Sequence, residues 1–132
     1  PSFSPKSLLM WLVAFSPPMV WAGIIFFLSS QSSLQSIESS TLDFFFKKLA
    51  HITVYAVLFT LLHRGFRLTL TSSAKTNNPH AEWLLPLVVV FLYAVTDELH
   101  QSFVPGRYAT TRDVGYDMLG VAIALLRQYR YI

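Results

Sequence analysis

From Ser7 to Leu28 the chain carries no charged residue. At 1.5 Å per residue such a run spans roughly 30 Å, the thickness of a bilayer's hydrocarbon core. Inside that core every backbone polar group needs an internal partner, so a run of this length folds as a helix. Pro17-Pro18 falls near its middle and removes two backbone donors, which predicts a kink. Making Ser16 an N-cap, with Pro17 opening a helix, would leave about a dozen apolar residues before Ser29, too few to span. One kinked span over 7–28 is therefore expected.

The rest of the chain repeats the pattern. Apolar stretches over 42–63, 81–104 and 111–129 predict three more spans, separated by a serine-rich loop (Ser29–Ser40), a flexible basic connector (His63–His80) and a Pro105-Gly106-Arg107 turn. The 132 residues are 53% hydrophobic and only 13% charged, with mean hydropathy +0.47. That balance suits a membrane bundle better than a soluble globule of this size. The expected fold class is all-α, a single-domain four-transmembrane-helix bundle covering 1–132. The first residues show neither the basic region nor the cleavage pattern of a secretory signal. There is no cysteine, which excludes disulfides, thiolate metal ligands and a thiol nucleophile. The connector lacks the aromatic interleaving of a nucleic-acid surface and no phosphate-cradling glycine loop occurs, so no nucleic-acid partner is expected.

Four of the seven carboxylates break the apolar pattern within one short segment: Asp97, Glu98, Asp113 and Asp117, with His100 and Arg107 among them. A carboxylate in lipid costs roughly 2.5–3.5 kcal/mol on insertion scales, so it needs a partner or a purpose. The spacing is helical. Asp97, His100 and Gln101 share one helix face, Asp113 and Asp117 another, and Gly120 and Ala124 continue the latter as small residues that let helices approach. Lys48, His51 and Tyr55 share a face of the second span. Lys47 reads as a lysine reaching to the interface.

The run D-E-x-H-Q-x-F-x-P-G-R from Asp97, followed by D-x-x-x-D-x-x-G from Asp113, resembles the signature of the VanZ-like family of small bacterial membrane proteins. Phe26-Phe27-Leu28-Ser29-Ser30-Gln31 and Lys48-x-x-His51-x-x-x-Tyr55 match it too, so the resemblance covers nearly the whole chain. Many relatives carry Asn where this chain has Asp117; the chain resembles the sub-branch with the D-E-x-H-Q form, which carries Asp. The resemblance implies a multi-pass protein of the bacterial inner membrane, linked to the cell envelope or to resistance against glycopeptide antibiotics such as teicoplanin.

With four spans, both termini and the 63–80 connector lie on one side, together with Lys6, Arg64, Arg67, Lys75, Arg127 and Arg130. Lys47, Lys48, Arg107 and Arg112 lie on the other, so the positive-inside rule puts both termini in the cytoplasm. Asp97 then sits about 24 Å along the third span, near the outer surface. Asp117 and His51 lie within about two turns of the outer ends of their own spans. Residues of three helices meet at one level, with Ser29, Ser30 and Gln31 at the rim.

Two readings of this cluster stand. In one, an outward pocket takes an amphiphilic ligand bearing phosphate or sugar, such as a lipid-linked precursor or a glycopeptide. Asp97, His100, Asp117 and His51 are its candidates for acid–base work or ligand contact. Lys48, Tyr55, Glu98, Gln101, Arg107, Asp113, Ser30 and Gln31 are its candidate ligand contacts, with Arg107 expected to fold back over a carboxylate. Two aspartates, a glutamate and a histidine could alternatively hold a divalent cation such as Mg²⁺ or Zn²⁺. Spacing alone is weak support, with no H-E-x-x-H motif and no cysteine, and it identifies no other cofactor. In the other reading the polar residues pair off to hold the bundle together, in an accessory subunit of a larger membrane complex.

Overall fold

The structure of the protein, a computed structural model, describes residues 5–31, 41–107 and 109–132. Among the described residues five helices follow one another: α1 (Pro5–Ser29), α2 (Thr41–Thr69), α3 (Ser72–Asn77), α4 (Ala81–Ser102) and α5 (Thr111–Gln128). The serine-rich loop over 32–40 lies outside the described residues. Three helices among the described residues are long and apolar enough to cross a membrane: Ser7–Ser29, Thr41–Thr69 and Ala81–Ser102. These coincide with the first three expected spans, and α5, which covers the fourth, is not among them. The helix α5 carries Arg112, Asp113, Asp117 and Arg127, and these charges offset its apolar residues.

The helix α1 is continuous through Pro17 and Pro18. Pro18 cannot donate to the carbonyl of Ala14. That carbonyl faces Gly65 of α2, where an added Cβ would lie 3.0 Å from its oxygen. Glycine here lets α2 approach the backbone of α1. The indole of Trp21 donates to the Val54 carbonyl at 2.9 Å, and the Tyr93 hydroxyl donates to the Ala22 carbonyl at 2.5 Å, tying α1 to α2 and α4. Tyr55, Leu58, Phe59, Val90, Ala94 and Val121 form the packed centre.

The connector is helical over much of its length, contrary to the flexible segment expected from its charges. The helix α2 continues to Thr69, since Gly65 and Phe66 still pack while Arg64 and Arg67 point outward. After it, Thr71 caps α3 by accepting from the Ala74 amide. Lys75 then bonds the Arg67 carbonyl at 2.9 Å and pairs with Glu82 at 3.0 Å. A lysine read only as a topology signal thus fastens the connector to both flanking helices.

The helix α5 packs most extensively against α2. Lys48 meets Asp113, His51 meets Asp117, and Gly120 meets Ile52, so the two run in the same direction. Gln101 meets Ser29 and Tyr93 meets Ala22, so α1 and α4 also run together. The C-termini of α1 and α4 and the N-termini of α2 and α5 therefore gather at one end, where the carboxylates are. Large apolar side chains cover the outer surface, Leu9, Phe27, Phe45 and Leu92 among them. In water that surface would be an aggregation liability; against lipid it is solvated.

Candidate functional site

Helix periodicity sends the residues of the α4 motif in separate directions. Asp97 faces the cavity at this end of the bundle and accepts from the Tyr55 hydroxyl at 3.0 Å and the Gln101 amide at 3.1 Å. Gln101, one turn on, also donates to the Ser29 hydroxyl of α1 at 3.4 Å. Glu98 lies about 100° around the helix from Asp97 and turns toward α5, where it accepts from the Thr110 amide at 3.1 Å. That contact satisfies a backbone donor at the helix N-terminus, where a carboxylate also suits the dipole. His100 lies about 60° to the other side and stacks on Phe26 of α1, ring centroids 4.4 Å apart. The histidine beside the carboxylates is therefore His51, and His100 stands apart from them.

The helix α2 supplies the opposite wall. His51 Nδ1 lies 2.8 Å from Asp117 Oδ1, with Asp117 fully buried behind it. A carboxylate against one ring nitrogen fixes the orientation of the imidazole and selects its tautomer. One turn nearer the surface, Lys48 pairs with Asp113 while lying against the rings of Phe44 and Tyr116. Lys48 thus neutralises a buried carboxylate instead of standing free as a clamp.

Two expectations for the rim are corrected. Arg107 does not close over a carboxylate: its Nη1 donates to the carbonyls of Ser29 at 2.6 Å and Leu28 at 3.2 Å. The last carbonyls of a helix have no intrahelical donor and sit at the negative end of its dipole, so they compete well for a guanidinium. Ser30 and Gln31 fold back onto the Phe26 and Phe27 carbonyls of their own helix and do not line the cavity. Ser29 lines it in their place.

The cavity measures about 550 Å³. Ile25, Leu28, Phe44, Phe46 and Val54 give it apolar walls, and Asp97, Gln101, His51, Tyr55 and Asp113 give it a polar base. Four cations reach it: Lys47, Lys48, Arg107 and Arg112. Lys47 pairs with Asp43 at 2.7 Å, Lys48 with Asp113, and Arg107 caps α1. Among the described residues Arg112 alone of the four has neither an ion pair nor a hydrogen bond through its side chain, and it is exposed at the mouth. Sequence reasoning treated Arg112 as a topology charge only. Its place beside Asp113, at the start of α5, was the available signal. The aromatic run Phe44-Phe45-Phe46 before two lysines was another, since apolar rings beside cations suit a lipid–water boundary.

The model of the VanZ/LLP1 family matches residues 8–129 of the chain. No curated protein and no solved structure matches it.

Proposed function

The chain belongs to the VanZ/LLP1 family, and from that premise we propose that it is a four-span protein of the bacterial inner membrane whose cavity holds the anionic head of an amphiphile. In this reading α5 is the fourth span, with its buried Asp113 paired to Lys48 and its buried Asp117 hydrogen-bonded to His51 of α2, and both termini are cytoplasmic. The cavity then opens toward the outer leaflet. The D-E-x-H-Q form of the motif supplies Asp97, Glu98 and Gln101 to one end of the bundle. The physiological setting is the cell envelope, including tolerance of glycopeptide antibiotics that act there.

One observation carries the proposal: apolar walls and an unpaired arginine share one open cavity. The walls suit an acyl or isoprenyl chain, and a guanidinium suits phosphate or carboxylate bidentately. Asp97, Tyr55 and Gln101 beneath add a hydrogen-bonding base for hydroxyls or a phosphate ester. The rival, an accessory subunit bonded internally by its polar residues, also has an observation behind it. Each of the four motif carboxylates already has at least one partner.

The absence of native cysteine makes the test clean. Ala50 lines the cavity and is exposed. Ala50→Cys should react with a membrane-impermeant thiol reagent in intact cells, and hexadecyl phosphate should slow that reaction while hexadecanol does not. Labelling only after permeabilisation would overturn the orientation. Labelling unaffected by hexadecyl phosphate would favour the accessory-subunit reading.

A further inference from the structure

Behind the cavity wall, His51, Glu98 and Asp117 bring one ring nitrogen and two carboxylate oxygens within 4.8 Å of one another. They come from α2, α4 and α5, three elements far apart in sequence. Glu98 is 7% exposed and Asp117 is 0% exposed. Each spends one oxygen on a partner already described, Glu98 on the Thr110 amide and Asp117 on His51. The second oxygen of each, Glu98 Oε1 and Asp117 Oδ2, is buried with no hydrogen-bond partner among the described residues. Bundle adhesion would use both oxygens, since a buried acceptor without a donor costs about 1–3 kcal/mol.

Charge points the same way. Asp97, Glu98, Asp113 and Asp117 are all buried, and Lys48 is the only lysine or arginine that forms an ion pair with any of them among the described residues. In a medium of low dielectric buried carboxylates left without a cationic partner are neutralised by a proton or by a bound cation.

We propose that His51, Glu98 and Asp117 form a site for one first-row divalent cation of the Zn²⁺ or Mn²⁺ class, joining α2, α4 and α5. The mixed nitrogen and oxygen ligands separate this class from Mg²⁺ and Ca²⁺, which take oxygen ligands. Metal–ligand bonds of about 2.0–2.2 Å would draw the three groups slightly inward from their present spacing. Three protein ligands leave coordination positions for water or an incoming oxygen ligand, and His51 lines the cavity from which either would come. The proposal stands apart from the identity of any amphiphile, because the ligands belong to the protein alone.

The test uses the full chain, purified in detergent without a polyhistidine tag, stripped with EDTA and equilibrated with Zn²⁺ or Mn²⁺ before desalting. Metal analysis should find about one ion per chain, and the ion should raise the thermal midpoint. Glu98→Gln keeps an acceptor for the Thr110 amide, so it should fold yet bind the ion roughly 100-fold more weakly. His100→Gln, which changes a histidine outside the group, should retain the ion as the unaltered protein does. Asp117→Asn should lose it; if that variant does not fold, Glu98→Gln decides. Retention of no ion by the unaltered protein, equal retention by Glu98→Gln, or loss in folded His100→Gln would overturn the assignment.

Discussion

Replacing Asp117 by Ala should destabilise the protein by about 3 kcal/mol or more. The side chain is fully buried and accepts the only hydrogen bond found for the ring of His51 among the described residues. Truncation would open a small cavity and strand that ring nitrogen at the centre of the α2–α5 contact. Reversible unfolding in mixed micelles measures the cost. A double-mutant cycle with His51→Ala separates its origin: the pair should cost clearly less than the sum of the single variants, because each removes the same contact. Additive effects would mean that the two side chains do not act together. Asp113→Ala should cost less, since Lys48 is partly exposed and keeps Phe44 and Tyr116 as neighbours.

Gly120→Ala should be as damaging as the loss of Asp117, although it adds a single methyl group. That methyl would collide with the Ile52 carbonyl oxygen and stand 2.8 Å from its carbon, both of them backbone atoms of α2. No rotamer relieves such a clash. The helices must separate, and the rungs from Lys48 to Asp113 and from His51 to Asp117 must separate with them. Overpacking typically costs about 1–3 kcal/mol, and a backbone-to-backbone contact belongs at or above the top of that range. Gly115, on the same helix, supplies the control, because nothing lies within 4 Å of an added Cβ there. Gly115→Ala should be neutral or stabilising by a few tenths of a kcal/mol up to about 1 kcal/mol, the ordinary helix preference of alanine. Equal responses at the two glycines would show that α2 and α5 do not touch at Ile52.

Much of this architecture is legible in the residues. The apolar run from Ser7 to Leu28 dictates α1 almost to the residue, and the spacing of Asp113, Asp117 and Gly120 marks one stripe of α5. That stripe meets the stripe of Lys48 and His51, so the two motif faces find each other as their periodicity implies. What was not legible depends on neighbours. Asp97, Glu98 and His100 lie within one turn, but which of them faces α1, α5 or the cavity is decided by where those helices pack. Arg107 has a side chain long enough to reach several acceptors, and the carbonyls ending α1 are not visible as a competing acceptor in a string of letters. The same holds for Ser30 and Gln31, which turn back on their own helix once it ends at Ser29. The charges of the connector suggested a loop, whereas a glycine packed against α1 and a lysine bridging two helices keep it ordered. The helix α5 does not stand out by apolarity because Arg112, Asp113, Asp117 and Arg127 interrupt its apolar residues, and the contacts of Asp113 with Lys48 and of Asp117 with His51 exist only in three dimensions.

In the proposed function the cavity selects an anionic head on an apolar chain, with Arg112 as the residue that reads the charge. Native mass spectrometry of the protein released from neutral-lipid nanodiscs tests it directly, using hexadecyl phosphate and hexadecanol as competing probes. Hexadecyl phosphate should remain bound to the unaltered chain at roughly tenfold or greater preference over hexadecanol, and Arg112→Gln should remove most of that preference, as loss of a charge-assisted contact worth about 1.5 kcal/mol requires. Equal retention of the two probes, or a preference untouched by Arg112→Gln, would contradict the account.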